Sequence, residues 1–149
     1  MTQTFEYFQI SQKSRYALRA LLHLALLDKH QPAAVSKLAQ SQQIPTRFLE
    51  VILNELRQGG FVLAIRGKHG GYLLAKHPRE ISLGQIIRFL ESSNRQMLPA
   101  YIDGAPSSEK LLFEKINTSI SLILDSTSLE DLAAEEQKRM SSYIANYVI

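Results

Sequence analysis

The segment that most restricts what this chain can become lies between Phe61 and Ala75. Phe61 to Ile65 is a run of β-formers, Arg66-Gly67-Lys68-His69-Gly70-Gly71 is a basic turn, and Tyr72 to Ala75 returns as a second apolar run. Three glycines allow the turn positive φ. The pattern predicts a two-stranded hairpin with cations at its tip.

Helices precede it. Ser11 to Asp28 is rich in Ala, Leu and Arg, which favours helix. Ala17, Leu18, Leu21, Leu22, Ala25 and Leu26 are apolar at helical spacing over an arc broad enough for a central helix. His30 to Pro32 closes it. Ala34 to Ser41 predicts a short second helix with Val35, Leu38 and Ala39 inward, and Gln42-Gln43 a tight connection. A third helix is expected to start at Ile44-Pro45, with proline in its first turn, and to stop at Gly59-Gly60. Two helices joined by so short a turn fit a helix-turn-helix. The third is sharply two-faced. Leu49, Ile52, Leu53 and Leu56 follow the i, i+3, i+4, i+7 pattern of a buried face. At about 100° per residue, Arg47, Glu50, Asn54 and Gln58 gather on the opposite side, with Arg57 at its margin.

After the hairpin, Ile81-Ser82-Leu83-Gly84 opens a fourth helix to about Ser92, with Ser82 as N-cap and Ile86, Ile87 and Leu90 inward. Residues 93–106 hold Pro99, Gly104 and Pro106 and predict a loop. A fifth helix is expected from a Ser107 or Ser108 cap to about Leu124, with a stripe of Leu112, Ile116, Ile120 and Ile123. A sixth is expected near Leu129, behind a Thr127-x-x-Glu130 capping box, with a stripe of Leu132, Met140, Tyr143, Ile144 and Tyr147. Residues 1–10 form a lead-in whose Phe5, Tyr7, Phe8 and Ile10 suit packing on the body or on a second subunit. The expected organisation is a DNA-binding unit over 1–92, a loop over 93–106 and dimerisation helices over 107–149. The fold class is mainly α: a winged helix-turn-helix with a two-stranded wing and C-terminal dimerisation helices.

Composition narrows the function. The 149 residues include no cysteine, which excludes disulfides, thiolate zinc sites and a cysteine nucleophile. At 45% hydrophobic and 21% charged, the chain is too apolar for disorder. No apolar run reaches the ~18 residues of a membrane span; Tyr16 to Leu27 is broken by Arg19 and His23. With no basic leader at the start, a cytoplasmic protein that does not contact a membrane is expected. Residues 1–91 hold 12 Lys/Arg against 6 Asp/Glu, a balance of +6, and residues 92–149 hold 5 against 8, a balance of −3. A basic first part suggests a nucleic-acid contact there. No nucleophile–base pair, phosphate loop or metal-binding histidine spacing is present, so an enzyme is not expected. His23 fits a partly buried core position; His30, His69 and His77 fit surface or loop sites.

The runs Ser14 to Ala20, Phe48 to Leu53 and above all Ile65 to Ala75 followed by Ile81-Ser82-Leu83 resemble the Rrf2 family, bacterial transcriptional regulators of the IscR, NsrR and CymR type. The likeness covers about residues 10–92, and Ser128 to Leu132 is similar to the family's tail. It implies a homodimer, with a late helix crossing to the partner, that binds double-stranded DNA at a palindromic operator, as a repressor. By that resemblance Arg47 and Glu50 are base-contacting positions and Arg66 the wing arginine that enters the minor groove. The chemistry agrees, since arginine pairs with guanine and glutamate accepts from cytosine N4. Asn54 shares their face, and Lys68, His69 and Lys13 are placed to serve phosphates.

The chain departs from the family pattern in several places. Cluster-holding members carry three cysteines after the fourth helix; residues 93–106 here have no cysteine and no histidine, and the first helix offers Arg15 and Arg19 where some relatives offer a ligand. No cofactor is therefore expected, an iron–sulfur cluster included. Ala34 replaces the usual Ser or Thr cap, Gln43 a frequent glycine, and Pro45 the usual Ser. The effector is left open between a small molecule or redox signal near 93–106, a protein partner, and none. The alternative function is a winged helix used only for protein contact, through Glu130, Asp131, Glu135 and Glu136.

Overall fold

The computed structural model describes residues 9–27, 30–92 and 107–148. The apolar lead-in residues Phe5, Tyr7 and Phe8, Asp28 at the expected end of the first helix, and the 93–106 loop lie outside the described residues. The chain order is α1 (Gln12–Leu26), α2 (Val35–Gln42), α3 (Thr46–Gln58), β1 (Val62–Ile65), β2 (Gly71–Leu74), a 3-10 turn (Pro78–Glu80), α4 (Leu83–Leu90), α5 (Ser108–Ser126) and α6 (Leu129–Tyr147). The expected winged helix-turn-helix is present.

One hydrophobic core serves the first part of the chain. Ala17, Ala20, Leu21 and Leu24 of α1 meet Leu38 of α2, the buried face of α3, Val62 of β1, and Ile86 and Leu90 of α4. Leu49, Ile52, Leu53 and Leu56 are each at most 1% exposed, so the wide apolar arc of α1 does supply the central surface. Leu129 of α6 is also fully buried in this core. The C-terminal helices are thus rooted in the first part rather than hung from it.

The C-terminal ends of α2 and α3 use the same device. At the end of α3, Phe61 N–H donates to the Leu56 carbonyl at 2.9 Å and Gly60 N–H to Arg57 at 3.1 Å, with Gly60 left-handed at φ 78. At the end of α2, Ile44 N–H donates to Ala39 at 3.0 Å and Gln43 N–H to Gln40 at 3.3 Å, with Gln43 left-handed at φ 53. This paired arrangement needs a left-handed residue, which glycine provides at no steric cost and Gln43 does not. Pro45 is the N-cap of α3 rather than part of its first turn, because Ile44 before it is buried in the turn and the helix begins at Thr46.

The wing is braced against α2. β1 and β2 pair antiparallel with Val62 opposite Leu74 and Ile65 opposite Gly71. Ala33 and Tyr72 exchange two backbone hydrogen bonds of 2.9 Å. A Cβ on Gly71 would stand 2.2 Å from the Ala33 carbonyl oxygen, so only glycine permits the approach. Positive φ occurs at Gly67 and Gly71 but not Gly70, whose role is also space: a Cβ there would meet the Ile65 carbonyl oxygen at 2.1 Å.

Two polar clasps hold the helices together. Glu91, 5% exposed at the end of α4, accepts from Ser11 N–H at 2.9 Å, from Ser11 Oγ at 2.5 Å and from the Ser14 hydroxyl. It therefore joins the end of α4 to the start of α1. Arg88 of α4 grips Asp125 of α5 at 2.5 and 2.9 Å, and that bond holds the Asp125 carboxyl below the usual range.

The last two helices differ from expectation in two ways. The capping box of α6 is Ser128 with Asp131, not Thr127 with Glu130. Ser128 and Ser82 form a bridge, with Leu129 N–H donating to the Ile81 carbonyl at 2.8 Å. Burial of Leu129 then fixes the first helical residue, while the Thr127 hydroxyl turns back to the Ile123 carbonyl at 2.7 Å. The stripes are also not buried in the chain. α5 has no buried residue, and Leu112, Ile123, Met140, Tyr143, Ile144 and Tyr147 are all at least half exposed. Only Leu129 and Ala133 of α6 are buried, and neither belongs to the stripe expected there.

Two stability changes follow. Gln43→Gly should raise stability by about 0.5–1 kcal/mol by removing the left-handed strain, seen as a melting temperature higher by about 2–4 °C. Glu91→Ala should cost roughly 2–3 kcal/mol, because buried donors lose a charged acceptor, with a matching fall in the urea midpoint.

Candidate nucleic-acid interface

Burial of four residues on one side of α3 turns the other side out. Arg47, Glu50, Asn54 and Gln58 are all exposed. Asn54 Oδ1 accepts from Arg57 Nη2 at 2.8 Å, which orients the amide and brings Arg57 to the edge of this face. Arg47 and Glu50 do not pair with each other among the described ion pairs. A helix face whose cation, carboxylate and amide are spread along one side offers donors and acceptors suited to base edges in a major groove.

The wing adds positive charge beside it. Arg66, Lys68 and His69 are exposed at the hairpin tip. Lys68 and His69, with Lys37 and Ala34 of the α2 entry, line a crevice of about 690 Å³ whose far wall includes His23 and Leu27. α2 begins at Ala34 with no side-chain cap, so its first N–H groups carry the partial positive charge of an unsatisfied helix start.

Lys13, expected at phosphate, forms an ion pair with Glu55 at 3.1 Å, each side chain about one third exposed (33% and 31%). Glu55 lies on α3 at the edge of the core-facing side, so the pair links α1 to α3. Arg19 of α1 donates to the Gln42 carbonyl at the end of α2. Gln42 in turn donates its amide to His23 Nδ1 at 2.9 Å, and burial lowers the His23 pKa. His23 is thus the half-buried residue expected.

The acidic residues of α6 are engaged locally. Glu130 lies 3.4 Å from His77 Nδ1. Asp131 accepts from Ser128 N–H at 2.8 Å, which holds its carboxyl below the usual range. Glu135 meets Lys138 at 3.5 Å and Glu136 meets Arg139 at 2.6 Å. No helix among the described residues is long and apolar enough to cross a membrane.

Comparison with known proteins agrees with this geometry. Residues 10–135 match the Rrf2 family, described as iron-dependent transcriptional regulators. The chain is 32% identical over 136 residues to the HTH-type transcriptional regulator CymR of Bacillus subtilis strain 168, covering 91% of this chain and 97% of that protein. The solved structure of CymR, described as the global cysteine regulator of B. subtilis, is similar with a TM-score of 0.78 at 35% identity, over 86% of this chain and 98% of that one. The structure of T. potens IscR is similar with a TM-score of 0.73 at 31% identity, over 89% and 90%.

The family's iron is not matched by donors here. The sequence has no cysteine, and the described residues contain no group of three or more His, Asp or Glu side chains placed to hold a metal. Thiolates are the ligands of iron–sulfur clusters, and this chain does not fit one. Its family and these relatives are DNA-binding transcriptional regulators, so the chain is a regulator and not an enzyme. From residue 10 to residue 135, across wing, recognition helix and the entry to α6, the chain belongs to the Rrf2 family of transcriptional regulators.

Proposed function

We propose that the chain acts as a homodimeric repressor on a palindromic operator, without an iron–sulfur cluster. The observation that carries the dimer is that no residue of the 19-residue α5 is fully buried in its own chain. Leu111, Leu112, Leu122 and Ile123 of α5 and Met140, Tyr143, Ile144 and Tyr147 of α6 are 50–73% exposed. So much apolar surface on two adjoining helices calls for a cover, and a two-fold pair of identical chains supplies it with the same surface. A two-fold dimer presents two copies of α3 in opposite senses, which a palindrome matches.

In this proposal Arg47, Glu50 and Asn54 contact bases in the major groove and Arg66 enters the minor groove from the wing. Lys68 and His69, joined by Lys37 and the uncapped start of α2, hold a backbone phosphate. Repression needs nothing further, since a dimer seated on operator DNA excludes other proteins from it. An effector, small molecule or protein, would act by shifting the two α3 helices relative to each other.

Selection from a random duplex pool tests the reading: a two-fold symmetric sequence is expected, and no enrichment at low salt would remove it. On the selected site Arg47→Ala should cost about 1–3 kcal/mol and relax one base position per half-site. Lys68→Ala should weaken all duplexes alike and lower the salt slope by about one. Sedimentation at micromolar concentration should give a dimer; a monomer at that concentration would contradict the role given to α5 and α6.

A further inference from the structure

The outward face of α3 carries one side chain that neither the fold nor the polar contacts account for. Val51 is 65% exposed. At about 100° per residue it stands about 40° from Arg47 and about 60° from Asn54, on the side opposite Leu49, Ile52, Leu53 and Leu56. Along the helix axis it lies between the two polar side chains; around the axis it lies beyond both, on the side of Phe48. Helix formation does not favour it, because a β-branched residue at an exposed helical position is a poorer choice than Ala, Glu or Lys. Phe48, the other exposed apolar residue of α3 at 56%, sits about 100° from Arg47, on the flank.

A valine on a groove-reading face has no hydrogen bond to offer. The major groove has one apolar base group, the C5-methyl of thymine. An isopropyl group against that methyl removes apolar surface from water on both sides. Set against the amino group of cytosine, the same side chain would strip water from a donor without replacing its hydrogen bond. Val51 therefore favours a T·A pair both by contact and by rejecting the alternative.

We propose that Val51 is a specificity-determining residue that reads a thymine methyl in each half-site, beside the base contacted by Arg47. The proposal rests on the DNA-reading role of α3 put forward above. Arg47 and Asn54, one turn before and one turn after it along the helix, then supply polar contacts, and Val51 supplies the one position read by shape and hydrophobicity.

Thymine and deoxyuridine differ only by the C5-methyl, which gives a direct test. The full chain first selects its operator from a random duplex pool. Each thymine of one half-site is then replaced by deoxyuridine, and binding is measured for the wild type and for Val51→Ala. Because Val51 lies outside the core, the variant should melt like the wild type, and melting is measured alongside. One thymine is expected at which deoxyuridine weakens wild-type binding about fourfold, the worth of one buried methyl-sized group. At that position Val51→Ala should bind the two bases equally, while the other thymines behave alike in both proteins. An operator with no methyl-sensitive thymine overturns the proposal, as does a sensitivity that persists undiminished in Val51→Ala; either leaves the DNA-reading role of α3 standing. Failure to enrich any sequence would overturn both.

Discussion

The rotation of α3 about its own axis is the constraint on which the rest of the molecule depends. Leu49, Ile52, Leu53 and Leu56 are sealed into the core against α1, and removing any of them from water is worth about 1.5–3 kcal/mol. Turning the helix by one residue's angle would expose part of that set and bury either Glu50 and Arg57 or Val51 and Phe48. The exposed face is therefore dictated by the buried one. Everything placed on it, from Arg47 to Gln58, is held at a defined azimuth by side chains that never meet a ligand.

The same economy links the distant ends of the chain. Glu91 caps the start of α1 from the end of α4, and Leu129 drives the start of α6 into the core that α3 occupies. Arg88 and Asp125 tie α4 to α5 on the surface, where an ion pair alone is worth little. The junction of α5 and α6 is thus fastened by backbone pairing and by one buried leucine. The apolar sides of those helices extend outward from that fixed root, with no core of their own.

Much of this was legible in the sequence. The spacing of Leu49, Ile52, Leu53 and Leu56 gave both the helix and its inward side, because periodicity records burial directly. The hairpin was visible from its β-formers and glycines. What stayed hidden depends on contacts between residues far apart in the chain. The ion pair of Lys13 with Glu55 could not be read from the segment around Lys13, because Glu55 follows 42 residues later. The cap of α6 was misplaced by one residue because Thr127 and Ser128 are equally good caps, and only the burial of Leu129 chooses between them. Glu91 was unremarkable as a charge near a helix end, and its buried partners lie at the other end of the domain. Val51 escaped notice for a different reason: a lone apolar residue acquires meaning only once its neighbours on the helix face are known to point outward.

The pairing of Ala33 with Tyr72 through the glycine at 71 has a mechanical consequence. It makes the wing and the entry to α2 one lever rather than two. A hairpin hinged only at its own base would adapt to grooves of many widths; this one can tilt only by carrying the start of α2 along. The span between recognition helix and wing tip is thereby a fixed gauge. A partner whose grooves depart from that gauge can be met only by moving the wing and the start of α2 together.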